Sequence, residues 1–321
     1  MIVTILHRAT YTNEATQGLH NRTKRSVNNA AIRLRRHGFD IELQWLSYES
    51  INVDNDGYDP ELSQRLQDAP QEVLGDALWV RSIGSNGVLT GNVVRLALGC
   101  GVFVTDKYIV DQCNNGRTPR SYSKEESMNI LEDAGVLVPP HEAVNPEVLL
   151  YSNVEGKVVR RSRGGRRGMY TWYIREQAHF DEMMETIANT PNPTVKVLVS
   201  PYIPNDGDYR CITVGGTCVG MFKRGPKRHD IATMSSSEEN DTPLWVPDMD
   251  VARIAGKAAQ ALNIDFASMD IVKGPDGVVV IEVNAAPSFA AFNRHVFSNK
   301  RGVAKVADYV LSWIYNRARE Q

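Results

Sequence analysis

The run Phe266-Ala-Ser-Met-Asp270-Ile-Val-Lys-Gly-Pro-Asp-Gly277-Val-Val-Val-Ile-Glu282-Val-Asn284-Ala-Ala-Pro287 decides how this chain is read. Two β-rich segments flank Gly-Pro-Asp-Gly, which predicts a hairpin. With Pro275, Asp276 and Gly277 as a three-residue loop, and Gly277 at its positive-φ position, Lys273 faces Val279 and Asp270 faces Glu282. Side chains alternate along a strand, so Asn284 shares the face of Glu282 while Ile281 and Val283 point away. Like charges on opposed positions repel. Two carboxylates and an amide oxygen gathered in this way make sense around a hard cation, and magnesium favours such donors together with water and phosphate. The competing reading is a surface hairpin with its acids spread into solvent. A slip of one residue in register would separate the pair.

The 321 residues are 42% hydrophobic and 23% charged, enough for a large core and two or three domains. A net charge of −2 argues against a chain that grips nucleic acid by overall charge. The basic residues are clustered, however. Lys157, Arg160, Arg161, Arg163, Arg166 and Arg167 fall in one short stretch, and Lys223, Arg224, Lys227, Arg228 and His229 in another. Both lie beside glycines and read as anion-handling loops, against the commoner fate of a basic run as solvated surface. Cys100, Cys113, Cys211 and Cys218 form no Cys-x-x-Cys pair and read as reduced thiols of a cytoplasmic protein. The apolar start, Ile2 to Leu6, is too short for a signal peptide or membrane span and predicts a first strand.

Strands at 2–6, 41–46, 77–81 and 102–105 alternate with helices at 22–37 and near 92–98, which predicts a parallel α/β layer ending near residue 115. Ser123 and Glu126 form a capping box for the next helix, closed by Gly135. Further on come a strand at 157–161, a glycine–arginine loop at 163–168, a helix at 178–188 and a strand at 194–199. A hairpin turns at Gly215-Gly216, Asp248 caps a helix, and the chain closes on an amphipathic helix carrying Val303, Val306, Val310, Trp313 and Ile314.

This order of features resembles the ATP-grasp superfamily, and most closely its RimK-like carboxylate–amine ligases. The likeness runs from about Ser123 to Pro287. Lys124, with Gly135 and Pro139 behind it, matches the first ATP-binding lysine. Val158-Val-Arg160 and the loop with Gly164 and Gly165 match the strand and lid of the second lysine, here replaced by Arg160 or Arg161. Val199-Ser-Pro-Tyr202-Ile203 falls at the adenine-binding hinge and lacks its acidic residue. Asp208-Tyr-Arg210 resembles the Asp-x-Arg that follows, and Met221-Phe-Lys223-Arg224 the strand whose basic residue reaches phosphate. Asp270, Glu282 and Asn284 look like the magnesium ligands. Residues 229–240 depart from the family's asparagine and glycine pattern.

The resemblance implies an α/β (α+β) ATP-grasp fold: an N-terminal parallel α/β domain at 1–115, a subdomain with the lid at 116–200, and a C-terminal subdomain with the metal site at 201–321. It implies ATP and two magnesium ions as cofactors. The implied reaction activates an amino-acid, peptide or protein-tail carboxylate as an acyl phosphate, which an amine then attacks to give an amide. Arg210, Lys223 and Arg224 take catalytic roles, Arg210 beside the transferred phosphate or substrate carboxylate. Lys124, Arg160, Arg161, Gly164, Gly165, Tyr202, Ile203 and Asp208 hold nucleotide, Asp208 as a ribose acceptor. Members of the family often form homo-oligomers. Two other readings stand beside this one: a phosphotransferase of the same fold, and a nucleic-acid-binding module using the arginine loop. The last gives no reason for Asp270, Glu282 and Asn284, and no aromatic stacking motif accompanies the loop.

Overall fold

The computed structural model describes residues 1–9, 14–81, 83, 86–163, 170–190, 192–225, 246–297 and 304–321. Three four-stranded sheets follow one another along the chain. The first comprises β1 (Ile2–His7), β2 (Glu42–Ser47), β3 (Ala77–Val80) and β4 (Phe103–Val104), all parallel, in the order β2-β1-β3-β4. Its helices are α1 (Glu14–Arg36), the short α2 (Tyr48–Ile51), α3 (Pro60–Asp68) and α4 (Pro70–Leu74), α5 (Gly87–Gly99) and α6 (Lys107–Asn114). Val27, Ala30, Ala31 and Leu34 of α1 pack with Val3, Ile5, Ala77 and Trp79. Val93, Val94 and Ala97 of α5 pack with Leu6, Leu78 and Val80 on the other face. A sheet buried on both faces needs continuous apolar strands, and Ala77–Val80 is buried throughout.

Helix α7 (Lys124–Asp133) leads to the second sheet. That sheet holds β5 (Glu142–Val144), β6 (Lys157–Arg161), β7 (Thr171–Ile174) and β8 (Val197–Pro201), antiparallel in the order β5-β8-β6-β7. The one-turn α8 (Tyr151–Val154) precedes β6, and α9 (Gln177–Ala188) packs on β7. The third sheet is antiparallel, β10-β9-β11-β12, built from β9 (Asp208–Val214), β10 (Thr217–Arg224), β11 (Phe266–Gly274) and β12 (Gly277–Asn284). Helix α10 (Met249–Ala261) covers one face, where Val251, Ala255 and Ala258 meet Cys211, Met221 and Met269. Helices α11 (Phe289–His295) and α12 (Val306–Arg319) cover one end of the other face. There Phe292, Val310 and Ile314 pack with Ile212, Phe222 and Phe266 in the same cluster as α1. Arg33 of α1 holds Asp308 of α12 with two bonds, 2.9 and 2.7 Å.

The capping box at Ser123 is formed in both directions. The Gly215-Gly216 turn has φ of 56° and 75°, conformations only glycine adopts without strain. Other expectations need correction. The first helix begins at Glu14, eight residues before Arg22, and α6 extends through Asn114 into the stretch read as a boundary loop. The strand expected at 194–199 is Val197–Pro201, and β5 and β7 were not foreseen. Val303 lies outside the described residues; α12 starts at Val306.

The decisive hairpin also differs in its turn. Gly274 pairs with Gly277, so the loop is the two residues Pro275 and Asp276, and Lys273 faces Val278, not Val279. Continued regularly, that register would set Glu282 opposite Met269, on the face covered by α10. A bulge between Asp270 and Ile271 leaves Ile281 without a ladder partner and restores Asp270 opposite Glu282. No helix among the described residues is long and apolar enough to cross a membrane.

Candidate active site

One face of the third sheet is divided in two. Its apolar half, Ile212, Val214, Phe222 and Phe266, lies under α11 and α12. The register puts Asp208, Arg210, Arg224, Asp270, Glu282 and Asn284 on the remaining half of that face. Arg224 spans the strands: it is held by the carboxylate of its cross-strand neighbour Asp208 and reaches Asp270 at 3.0 Å. Arg210, directly opposite Asp270, is 3.7 Å from it. Burial works against the Arg224 charge, but Asp270 and Asp208 outweigh it and push the guanidinium above its usual range.

The second sheet and α7 bring more cations to this face. Lys124 opens α7, and its backbone N–H donates to the Ser162 carbonyl beyond β6 at 2.9 Å. Its Nζ lies 3.6 Å from Oε1 of Glu282. Burial lowers the Lys124 pKa, Glu282 raises it, and Arg160 and Arg161 lower it. Arg160 and Arg161 are neighbours on a strand and therefore diverge. Arg160 crosses to β12 and donates to the Ile281 carbonyl at 2.5 Å, with Met128 of α7 at 3.4 Å from its other terminal nitrogen. It is 7% exposed, and burial brings its pKa down to about 10 against the pull of Glu282. Arg161 turns to the Asn192 carbonyl at 3.0 Å and sits over the Tyr170 ring. Of the two arginines, Arg160 is the one in contact with the acidic hairpin.

The other candidates lie around this centre. Tyr202, just past β8, stacks on Tyr173 of β7 with ring centroids 4.7 Å apart; Ile203 follows it. Asp208 is buried and engaged through both oxygens by Arg224, so its carboxylate sits inside an ion pair of the sheet. Lys223 alternates away from Arg224 and pairs with Asp206 at 2.7 Å, above the Tyr209 ring. Gly164, Gly165, Arg166 and Arg167, and the second basic run from Lys227 to His229, lie outside the described residues.

Asp270 and Glu282 are opposed, and Asn284 follows on the same face. Asn284 is exposed, and its Oδ1 is oriented by the Ala286 N–H at 2.9 Å. The set is made of hard oxygen donors, which fits magnesium. Among the described residues no group of three or more His, Cys, Asp or Glu is placed to hold a metal. Sequence reasoning missed two participants. The Ile281 carbonyl that Arg160 meets sits at the bulge, and Tyr173 belongs to β7, which follows the glycine–arginine loop and was not foreseen.

Residues 124–309 match the family model of the RimK-like ATP-grasp domain, and the chain belongs to that family. A probable alpha-L-glutamate ligase of Pasteurella multocida (strain Pm70) is 24% identical over 206 residues, 59% of this chain and 62% of that protein. A ribosomal protein bS6–L-glutamate ligase of Salmonella paratyphi B is 30% identical over 136 residues, 38% of this chain and 39% of that one. The chain thus spans less than two thirds of the length of these relatives. Among solved structures, a D-alanine–D-alanine ligase from Bacillus anthracis complexed with ATP superposes with a TM-score of 0.64 at 13% identity, over 100% of this chain and 98% of that one. The D-cycloserine synthetase DcsG gives 0.62 at 15% identity, over 99% and 100%. At such identities the likeness is one of fold.

Proposed function

We propose that the protein is an ATP-dependent carboxylate–amine ligase that forms an amide through an acyl phosphate. One observation carries this reading: Lys124 and Arg160, from α7 and the second sheet, converge on the edge of the third sheet where Asp270 faces Glu282. A triphosphate needs cations from one side and a metal from the other, and the convergence of these side chains supports reading both here. Family membership supports it, as do the names of the relatives. We divide the chain as 1–115, 116–200 and 201–321, a division the three sheets support except that Pro201 still belongs to β8 of the second sheet.

In this mechanism the protein neutralises and orients charge. Asp270, Glu282 and Asn284 would hold magnesium, which supplies charge neutralisation at phosphate oxygens. Lys124 and Arg160 face the phosphates. Arg210 stands at the substrate carboxylate or transferred phosphate. Arg224 fixes Asp270 and Asp208 in place, whereas Lys223 points to the other face of the sheet and is not assigned a role. Tyr202 and Ile203 offer backbone to adenine, and the resemblance assigns Gly164 and Gly165, which lie outside the described residues, to nucleotide as well. The substrates are an amino-acid, peptide or protein-tail carboxylate and an amine, handled in the cytoplasm.

The test is an ADP-release screen with amino acids and acidic peptides as donors and acceptors, paired with mass spectrometry. An amide formed in step with ADP supports the ligase. A phosphorylated hydroxyl with ADP and no amide would instead assign a phosphotransferase.

A further inference from the structure

Strands β9 and β10 pair in a regular antiparallel ladder except at one point. Gly220 faces Ile212, and the next pair is Cys218 with Thr213, which leaves Val219 over. A bulge of this kind shifts the alternation of the strand by one residue. Without it, Cys218 would share the face of Gly220 and Phe222, under α11 and α12. With it, Cys218 packs in the α10 cluster to which Cys211 and Met221 belong, and Val219 in the cluster of α11 and α12. Gly220 lets the strand lie close to that second cluster, since a Cβ there would come within 3.1 Å of Phe297.

The bulge thus builds a dithiol between neighbouring strands. Cys211 is fully buried and Cys218 only partly. The two side chains are hydrogen-bonded to each other. The Cys218 thiol also donates to the Gly220 carbonyl at 3.5 Å. The shared bond divides the pair. It raises the Cys211 thiol well above its usual range, and burial adds to it. It lowers Cys218, joined by backbone bonds at Gly220 and Ile212, against burial. Among the described residues no third Cys, His, Asp or Glu completes a metal site with them. The thiolate is the nucleophile of sulfur chemistry, so the more accessible and more acidic Cys218 is the one to attack, with Cys211 beside it to resolve.

We propose that Cys211 and Cys218 are a site of reversible oxidation, closed to a disulfide by a hydroperoxide with Cys218 as the attacking sulfur. The Cys218 thiolate attacks one peroxide oxygen. The S–O bond forms, the O–O bond breaks, and the departing hydroxide takes up the proton that Cys218 had released, giving water. The Cys211 sulfur then attacks the sulfenic acid at Cys218. The S–S bond forms, the S–O bond breaks, and hydroxide leaves with the Cys211 proton as a second water. Two electrons pass from the thiols to the peroxide. The disulfide ties β10 to β9 next to Arg210, whose side chain meets Asp270 on the opposite face. This site does not depend on the ligase reading.

The full chain is treated with hydrogen peroxide, its remaining thiols are blocked with iodoacetamide, and its tryptic peptides are weighed. Cleavage after Arg210 and Lys223 releases both cysteines in one peptide, apart from Cys100 and Cys113. That peptide is expected to be lighter by two hydrogens and unalkylated, and doubly alkylated when dithiothreitol precedes the blocking step. Oxygen added at Met221 is told apart by its mass. In Cys211→Ser the resolving sulfur is gone, so Cys218 is expected to stop at the sulfenic acid and take up dimedone. The mass of the wild-type peptide decides the proposal whether or not that variant folds. Double alkylation after peroxide has consumed the exposed Cys100 overturns it, as does loss of the two hydrogens only after unfolding in urea.

Discussion

Arg224 at the end of β10 reaches across the intervening strand β9 to Asp270 of β11, 3.0 Å from Nη2 to Oδ2. On the way it neutralises Asp208, which is 3% exposed. One guanidinium therefore ties three strands on the face where ligand is proposed to bind. Removing one partner of a buried pair leaves the other charge uncompensated. Arg224→Gln is expected to destabilise the fold by about 3–5 kcal/mol. Urea unfolding checks this, and a loss below about 1 kcal/mol would mean that solvent already screens Asp208.

Glu282→Gln keeps the shape of the side chain and removes a proposed metal-binding charge. ADP release should fall by at least about a hundredfold, the scale of losing one transition-state contact. Glu282 is half-exposed, so the melting temperature should hardly move. Unchanged ADP release at an unchanged melting temperature would remove the metal from Glu282.

Lys124→Ala is expected to weaken nucleotide binding about ten- to a hundredfold, the range of one charge-assisted contact. Calorimetry with ADP and magnesium measures it. Wild-type affinity in this variant would place the phosphates elsewhere.

Much of this site can be read from the sequence, for identifiable reasons. The Ser123–Glu126 capping box needs only local chemistry, and it fixes Lys124 at the first turn of α7. The Gly215-Gly216 turn follows from its turn residues. What escapes is non-local or compensated. The tighter turn at Pro275-Asp276 and the bulge at Ile281 are two one-residue errors that cancel at Glu282, so the right pairing was expected through a wrong register. The divergence of Arg160 and Arg161 is implied by alternation, but which of them faces β12 depends on how two sheets meet. Strand β5 is three residues long and defined by its pairing with β8.

Away from the site, Asp106 and Asp265 exchange bonds: each carboxylate accepts the backbone N–H of the other residue, at 2.9 Å for Asp265 N–H and 2.5 Å for Asp106 N–H. This joins the loop before α6 to the start of β11. Burial, then the charge of Asp265, raises the Asp106 pKa well above its usual value; burial raises Asp265 to about 6. Raised folded-state values favour the protonated fold. Their stability contribution is complete below the unfolded aspartate value of about 4 and is lost as pH rises through about 6 and beyond. Asp106→Asn keeps an acceptor for Asp265 N–H and removes one charge. It should raise the melting temperature at pH 7 and flatten its decline between pH 4 and 7. A decline as steep as wild type would assign that pH dependence to other groups.

Strand β12 carries one residue more than β11 can match, and Arg160 fastens onto the carbonyl of that surplus residue. Deleting Ile281 would even out the ladder and still leave Glu282 across from Asp270, yet strip the second sheet of its foothold on the third. Spacing between the two halves of the site is thus recorded as a count of residues, and a chain shortened there by one would keep every acidic group while losing track of how far apart its halves should stand.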